Sequence, residues 1–173
     1  GYQLAVLNEQ AGYYRNRSRF AQAFAACEQA MAIISAPEFS DPVSAATTML
    51  NVATSLQAGG RVAEALEMYG TAEGIYAAAL DANDPRRAAL YNNMAQACMS
   101  SGDKQTALEH LHRSLAILKT SRAHCAELAT THSNIALLYL STGDDEAAAT
   151  HLQAALSGFE ALGYDAPHYP AAL

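Results

Sequence analysis

Residues 91–118 read YNNMAQACMSSGDKQTALEHLHRSLAIL. Tyr91, Met94, Ala95 and Cys98 stand at offsets 0, +3, +4 and +7, which is one apolar stripe of an α-helix. Gly102 then ends that helix, and Asp103 can cap a second one, on which Ala107, Leu111 and Ser114 continue at helical spacing. The stretch predicts a helical hairpin that turns at Gly102.

Working outward, the same arrangement recurs. The small turn residues Ser18, Gly60, Gly102 and Gly143 are spaced 42, 42 and 41 residues apart. Eleven positions before each turn stands a large residue: Leu7, Met49, Tyr91 and His132. Four positions before it stand Tyr14, Leu56, Cys98 and Tyr139, and nine positions after it Cys27, Tyr69, Leu111 and Leu152. Twelve register positions call for a small side chain. They hold Ala11, Ala53, Ala95 and Ala136; Ala23, Ala65, Ala107 and Ala148; and Ala30, Ala72, Ser114 and Ala155. Eleven of the twelve are Ala, where composition alone (39 Ala in 173 residues) would put about three, so the repeat is more than an Ala-rich background.

This pattern resembles the tetratricopeptide repeat family, with its W-x2-L-G-x2-Y, A-x3-F, A and P positions. Here no Trp fills the first position, Ala replaces Gly, and Ser35, Ala77, Lys119 and Glu160 stand where the closing Pro would be. The 42-residue period exceeds the family's usual 34 and is similar to that of kinesin light chain-like repeats. The fold implied is all-α: an antiparallel helix-pair solenoid, a right-handed superhelix of four repeats sharing one core between neighbours. Helices are expected at about 2–16, 18–35, 43–58, 61–81, 85–100, 104–120, 123–141 and 145–162. They make a single array over 1–173, with repeats at about 2–35, 43–81, 85–120 and 123–162. Asp41-Pro42 and Asp84-Pro85 read as N-cap and first helical residue. Residues 163–173 resemble the connection before an earlier repeat and are expected to start a truncated further repeat or to form a C-terminal tail.

Composition narrows the function. Of the residues 51% are hydrophobic and 16% charged, which excludes a disordered chain. No apolar run approaches the roughly 20 residues of a membrane helix. Ten Lys and Arg against 17 Asp and Glu give a net charge of −7, which opposes nucleic-acid binding. Cys27, Cys98 and Cys125 are scattered and odd in number, as in a reducing compartment. With no basic segment leading into an apolar run at the start, the expected location is cytoplasmic.

No nucleophile elbow, zincin, P-loop or dinucleotide fingerprint occurs, so no catalytic residue and no cofactor is expected. Six histidines raise a metal site, but His110 and His112 face nearly opposite ways, and the sequence offers no further ligands at helical spacing; no metal is expected. His110 and His151 share one register position and could stack along a surface, while His132 falls in the apolar stripe as a packed, hydrogen-bonded imidazole. Arg15, Arg17 and Arg19 form a basic corner at the first turn.

The informative face lies opposite the apolar stripe of each first helix. It carries Thr47, Asn51, Thr54 and Ala58; Ala89, Asn93, Gln96 and Ser100; and Thr130, Asn134, Leu137 and Ser141. None of the twelve is charged, where an ordinary surface would hold roughly three or four charges. Asn51, Asn93 and Asn134 recur in register, and a primary amide can pair with both N–H and C=O of an extended peptide. In the resembled family first helices line the ligand groove, which implies Asn51, Asn93, Asn134, Thr47, Thr54, Gln96 and Thr130 as partner-binding residues. Helix packing is the other role open to the same asparagines. In repeat one Glu9 takes the Asn position.

The expectation is a non-enzymatic protein–protein interaction module that holds a peptide or partner helix in a neutral, Asn-lined groove. A regulatory or sensory segment of a larger multidomain protein, docking on its own neighbouring domains, is the alternative. Self-association into a homodimer through an uncapped terminal repeat is a third.

Overall fold

The computed structural model describes residues 2–120 and 124–163. Among them are eight helices and no strand: α1 (Tyr2–Arg15), α2 (Phe20–Ile34), α3 (Pro42–Ala58), α4 (Val62–Ala79), α5 (Pro85–Ser101), α6 (Lys104–Leu118), α7 (Cys125–Thr142) and α8 (Asp145–Ala161). The expected seventh helix began at 123, outside the described residues, as does the expected further repeat beyond Gly163. Helices α1–α4 gather in one compact unit, and the bulk of α5 with α6–α8 in a second.

All four hairpins turn by the same device. The amides of Arg19, Arg61, Asp103 and Asp144 donate to the carbonyls of Tyr14, Leu56, Cys98 and Tyr139, at 2.9, 2.8, 2.9 and 3.0 Å. Between them Ser18, Gly60, Gly102 and Gly143 take φ of 56, 85, 86 and 79°. This is a Schellman closure, whose left-handed residue favours glycine because it has no Cβ. It also explains why α2 and α4 begin one to two residues later than the periodicity predicts. The residue that closes one helix is the N-cap of the next and cannot yet be helical. Asp103 and Asp144 complete that cap by accepting from Thr106 N at 3.1 Å and Ala147 N at 3.0 Å. Arg19 and Arg61 have no side-chain cap bond.

The twelve small residues are all buried, from 0% exposed at Ala23, Ala65, Ala107 and Ala148 to 3% at Ala155. Each is where a larger side chain would hold two helices apart. Around them the first unit packs the rings of Tyr69 and Tyr76, at 0% and 1% exposure. Burial raises the Tyr69 hydroxyl above its ordinary pKa. In the second unit Ala88, Tyr91, Ile117 and Leu118 form a cluster with Met94 and Leu128 against it.

Each unit also carries one buried polar clasp between consecutive hairpins. Asn8 Nδ2 donates to Thr48 Oγ1 at 3.1 Å, and Thr48 Oγ1 donates to Ser44 O at 2.9 Å. The second unit repeats the pattern. Asn92 Nδ2 donates to Thr131 Oγ1 at 2.9 Å, and Thr131 Oγ1 donates to Glu127 O at 2.8 Å. Both threonines are fully buried, so a missing asparagine would leave a desolvated hydroxyl short of one partner.

Replacing Ala107 by Leu should overpack the third hairpin by roughly 1–3 kcal/mol. Thermal melts should show a drop of about 2–4 °C per kcal/mol lost. Replacing Arg19 by Asp, on a backbone (φ −90°, ψ 65°) close to that of Asp103 (φ −82°, ψ 78°), should supply the missing cap. It should raise stability by about 1 kcal/mol, read as a higher melting temperature with unchanged helical content.

Candidate functional site

The second unit holds a cavity of about 530 Å³ framed by α5 and α7, with Leu118 of α6 among its walls. Asn92, Asn93 and Gln96 enter it from α5, and Thr130 and Asn134 from α7; Pro85, Ala89 and Ala126 supply apolar wall. Four of the seven residues singled out from the sequence thus share one hollow: Asn93, Gln96, Thr130 and Asn134. Both helices present them because positions seven apart, or three and four apart, fall on one face.

Within the hollow the amides divide their work. Asn134 Nδ2 donates to Asn92 Oδ1 at 3.3 Å, and Asn92 Nδ2 also donates to Ser114 Oγ at 2.7 Å. Asn92 therefore ties α5 to α6 and α7 and fixes the orientation of Asn134. The half-buried Asn93 carboxamide has no hydrogen-bond partner among the described residues. Thr130 Oγ1 donates back to Ala126 O at 2.9 Å.

The remaining three candidates stand on α3 in the first unit. Asn51 is half-buried, and its carboxamide makes no hydrogen bond among the described residues. Thr47 and Thr54 are engaged within their own hairpin: their hydroxyls lie 2.8 Å from Tyr76 Oη and 3.0 Å from Tyr69 Oη. They also donate to the carbonyls of Val43 and Leu50.

Two features of the hollow escape the sequence reading. Asn92 sits one residue from Asn93, 100° around the helix, and does not recur at each repeat. Its counterpart is Asn8, two repeats earlier, so a search at twice the period would have found both, with Thr48 and Thr131 as partners. The second is charge. Arg86 and Glu127 line the same hollow, seven residues before Asn93 and Asn134 and one turn before Ala89 and Thr130, the first of the neutral positions. Arg86 is held by Asp84, Nε to Oδ1 at 2.9 Å and Nη2 to Oδ2 at 2.6 Å, which keeps the Asp84 carboxyl below the usual range. Glu127 is exposed and forms no ion pair among the described residues.

The histidines are paired by the hairpins. His110 stacks on Tyr91 with ring centroids 5.8 Å apart, rather than on His151. One repeat on, His132 Nδ1 lies 3.0 Å from His151 Nδ1, giving the expected packed imidazole its partner. No group of three or more His, Cys, Asp or Glu among the described residues could hold a metal ion. Burial pushes the Cys27 and Cys98 thiols up, away from the reactive thiolate. No helix among the described residues is long and apolar enough to cross a membrane.

Desolvation first, and then neighbouring positive charge, holds both His132 and His151 below the ordinary imidazole range. Their hydrogen bond needs one Nδ1 to remain an acceptor, which double protonation removes. A group whose pKa is depressed on folding contributes stability above its unfolded value, about 6.5 for His, that is lost as pH falls through the folded one. Melting temperatures measured from pH 7.5 down to 5.5 should fall, and His151→Gln should flatten that slope.

Comparison with known proteins bears on the fold. Residues 44–120 match the tetratricopeptide repeat family. Two structures of a candidate kinesin light chain of Podosopora anserina, with nearly identical TPR-like repeats, superpose with TM-score 0.80 at 26% identity, covering 95% of this chain and 78% of theirs. BtubC of P. vanneervenii superposes with TM-score 0.81 at 23% identity, over 98% of this chain and 69% of its own. No curated protein sequence matches the chain. The fold is the all-α helix-pair solenoid expected from the repeats; residues 44–120 match the tetratricopeptide repeat family, and the chain is similar to kinesin light chain-like TPR repeats.

Proposed function

We propose that the chain is a non-enzymatic protein-interaction module that holds an extended peptide or a partner helix in the hollow between α5 and α7. One observation carries this reading. Asn93 offers an unpartnered carboxamide, half-buried beside the fixed Asn134, in a space of about 530 Å³ that is wide enough for a few side chains. A half-buried amide with no internal partner is poorly placed for packing and well placed to pair with ligand backbone. The tetratricopeptide repeats support protein partners as the ligand class. Asn51, with the same exposure and the same unpartnered amide, is a candidate contact on the first unit. Three cysteines, none in a disulfide and two of them buried, fit action in the cytoplasm.

The charged residues at the mouth refine the groove expected to be neutral. The charged residues of its lining, Arg86 and Glu127, are one of each sign, and Arg86 is already paired with Asp84. A neutral segment is the ligand it accommodates.

Replacing Asn93 by Ala should leave folding within about 0.5 kcal/mol of the parent, since no internal bond is lost. Binding to a peptide selected from a displayed library of linear 12-residue sequences should weaken by about 1–3 kcal/mol, measured by calorimetric titration. A variant that melts far below the parent and binds in proportion to its folded fraction would instead make Asn93 a packing residue.

A further inference from the structure

Two backbone carbonyls fix which end of the Asn92 carboxamide points where. A carbonyl oxygen only accepts, so the 2.8 Å contact between Thr131 Oγ1 and Glu127 O takes the single Thr131 hydroxyl proton. Thr131 Oγ1 can then meet Asn92 only as an acceptor, 2.9 Å from Nδ2. Ala88 O, 3.4 Å from the same nitrogen, makes the same demand. The two Nδ2 protons go to Thr131 and to Ser114 Oγ, the latter at 2.7 Å. Thr131 and Ser114 are fully buried, so turning the amide over would set Oδ1 against two acceptors with no water to relieve it.

What remains of Asn92 is Oδ1, an acceptor 3.3 Å from Asn134 Nδ2. Asn134 therefore commits its amino end to the scaffold. Its Oδ1 accepts from no group among the described residues, on a side chain that lines the hollow. The other two asparagines of the register are not held in this way. Asn93 and Asn51 make no side-chain hydrogen bond among the described residues and can turn either end to a ligand. The first unit has the clasp without the lock. Asn8 bonds Thr48 as Asn92 bonds Thr131, but Ala30 stands at the Ser114 position and Asn8 makes no bond to Asn51.

We propose that Asn134 is the fixed acceptor of the hollow, set by Asn92, Thr131 and Ser114 as positioning residues, and that the bound segment must bring a backbone N–H to it. This rests on the hollow being the binding site. It narrows the ligand to an extended segment, because the N–H groups inside a partner helix are already bonded to that helix's own carbonyls. Proline is excluded at the facing residue, since it has no N–H. Asn93, free to turn, makes no such demand.

The probe is the peptide selected from the 12-residue library, remade as a series with one backbone nitrogen methylated at a time and titrated calorimetrically. On the parent chain one methylation should weaken binding by roughly 10-fold or more, the loss of one N–H partner. On Asn134→Ala the same methylation should weaken it by less than about 2-fold, and on Asn93→Ala it should keep its full effect. Thr131→Val frees Asn92 to turn over and should shrink the discrimination between methylated and unmethylated peptide. Ser114→Ala, which matches the other eleven residues of its set, keeps the Thr131 anchor and should retain it. A smaller folded fraction would weaken both peptides alike and leave their ratio unchanged. A peptide weakened by Asn93→Ala whose series shows no position coupled to Asn134 overturns the fixed acceptor and leaves the groove standing. Thr131→Val that is folded by its melting curve and discriminates like the parent overturns the lock. A library that yields no peptide, or one indifferent to both asparagines, overturns the groove and the fixed acceptor together.

Discussion

Close approach of helix axes at twelve small side chains is the constraint on which the rest of the structure depends. A residue the size of Ala at Ala23, Ala65, Ala107 or Ala148 lets two helices meet a few residues beyond the turn that joins them. With that distance set, the side chains farther along have defined partners: tyrosine hydroxyls of α4 reach threonines of α3, and His151 reaches His132. The one non-alanine in the set, Ser114, supplies an oxygen where the Asn92 amide needs an acceptor. The exception is therefore part of the polar core and not a defect in the repeat.

Superimposed on the single-repeat pattern is a second one with twice its length. Asn in the first and third hairpins binds Thr in the second and fourth, once in each unit. A buried amide is directional, so it fixes how far one hairpin slides along the next more sharply than interlocking methyl groups can. In the second unit the same amide holds Asn134 and thereby links the internal clasp to the wall of the hollow. The site is an extension of the scaffold's own polar core.

The fold was legible because its determinants are local and repeated. Gly60, Gly102 and Gly143 mark left-handed turns, Asp103 and Asp144 mark caps, and the alanines recur at constant offsets. The site was legible only in part. Asn93 and Asn134 announced themselves by register, whereas Asn92 recurs only at every second repeat and stands on a different helix face. Thr47 and Thr54 pointed away from the apolar stripe and so read as available. Long tyrosine side chains from α4 reach around to them, and a reading of one helix at a time does not contain that reach. Arg86 and Glu127 were passed over because the face was followed from Ala89 and Thr130 onward, and the hollow extends one turn further toward the start of each helix.

The turn geometry bears on where such a chain can change length. Each closing amide is also the next helix's cap, so no residue between the two helices of a hairpin is spare. One inserted residue would rotate the second helix by about 100° and carry its alanines off the contact. From Tyr14 to Ala23, Leu56 to Ala65, Cys98 to Ala107 and Tyr139 to Ala148 the separation is invariant. The single shortening, from 42 to 41 residues, falls instead between the third hairpin and the fourth. Drift in length is confined to the connections between hairpins, so lineages of such arrays would gain or lose whole hairpins while the joint inside each stays as it is.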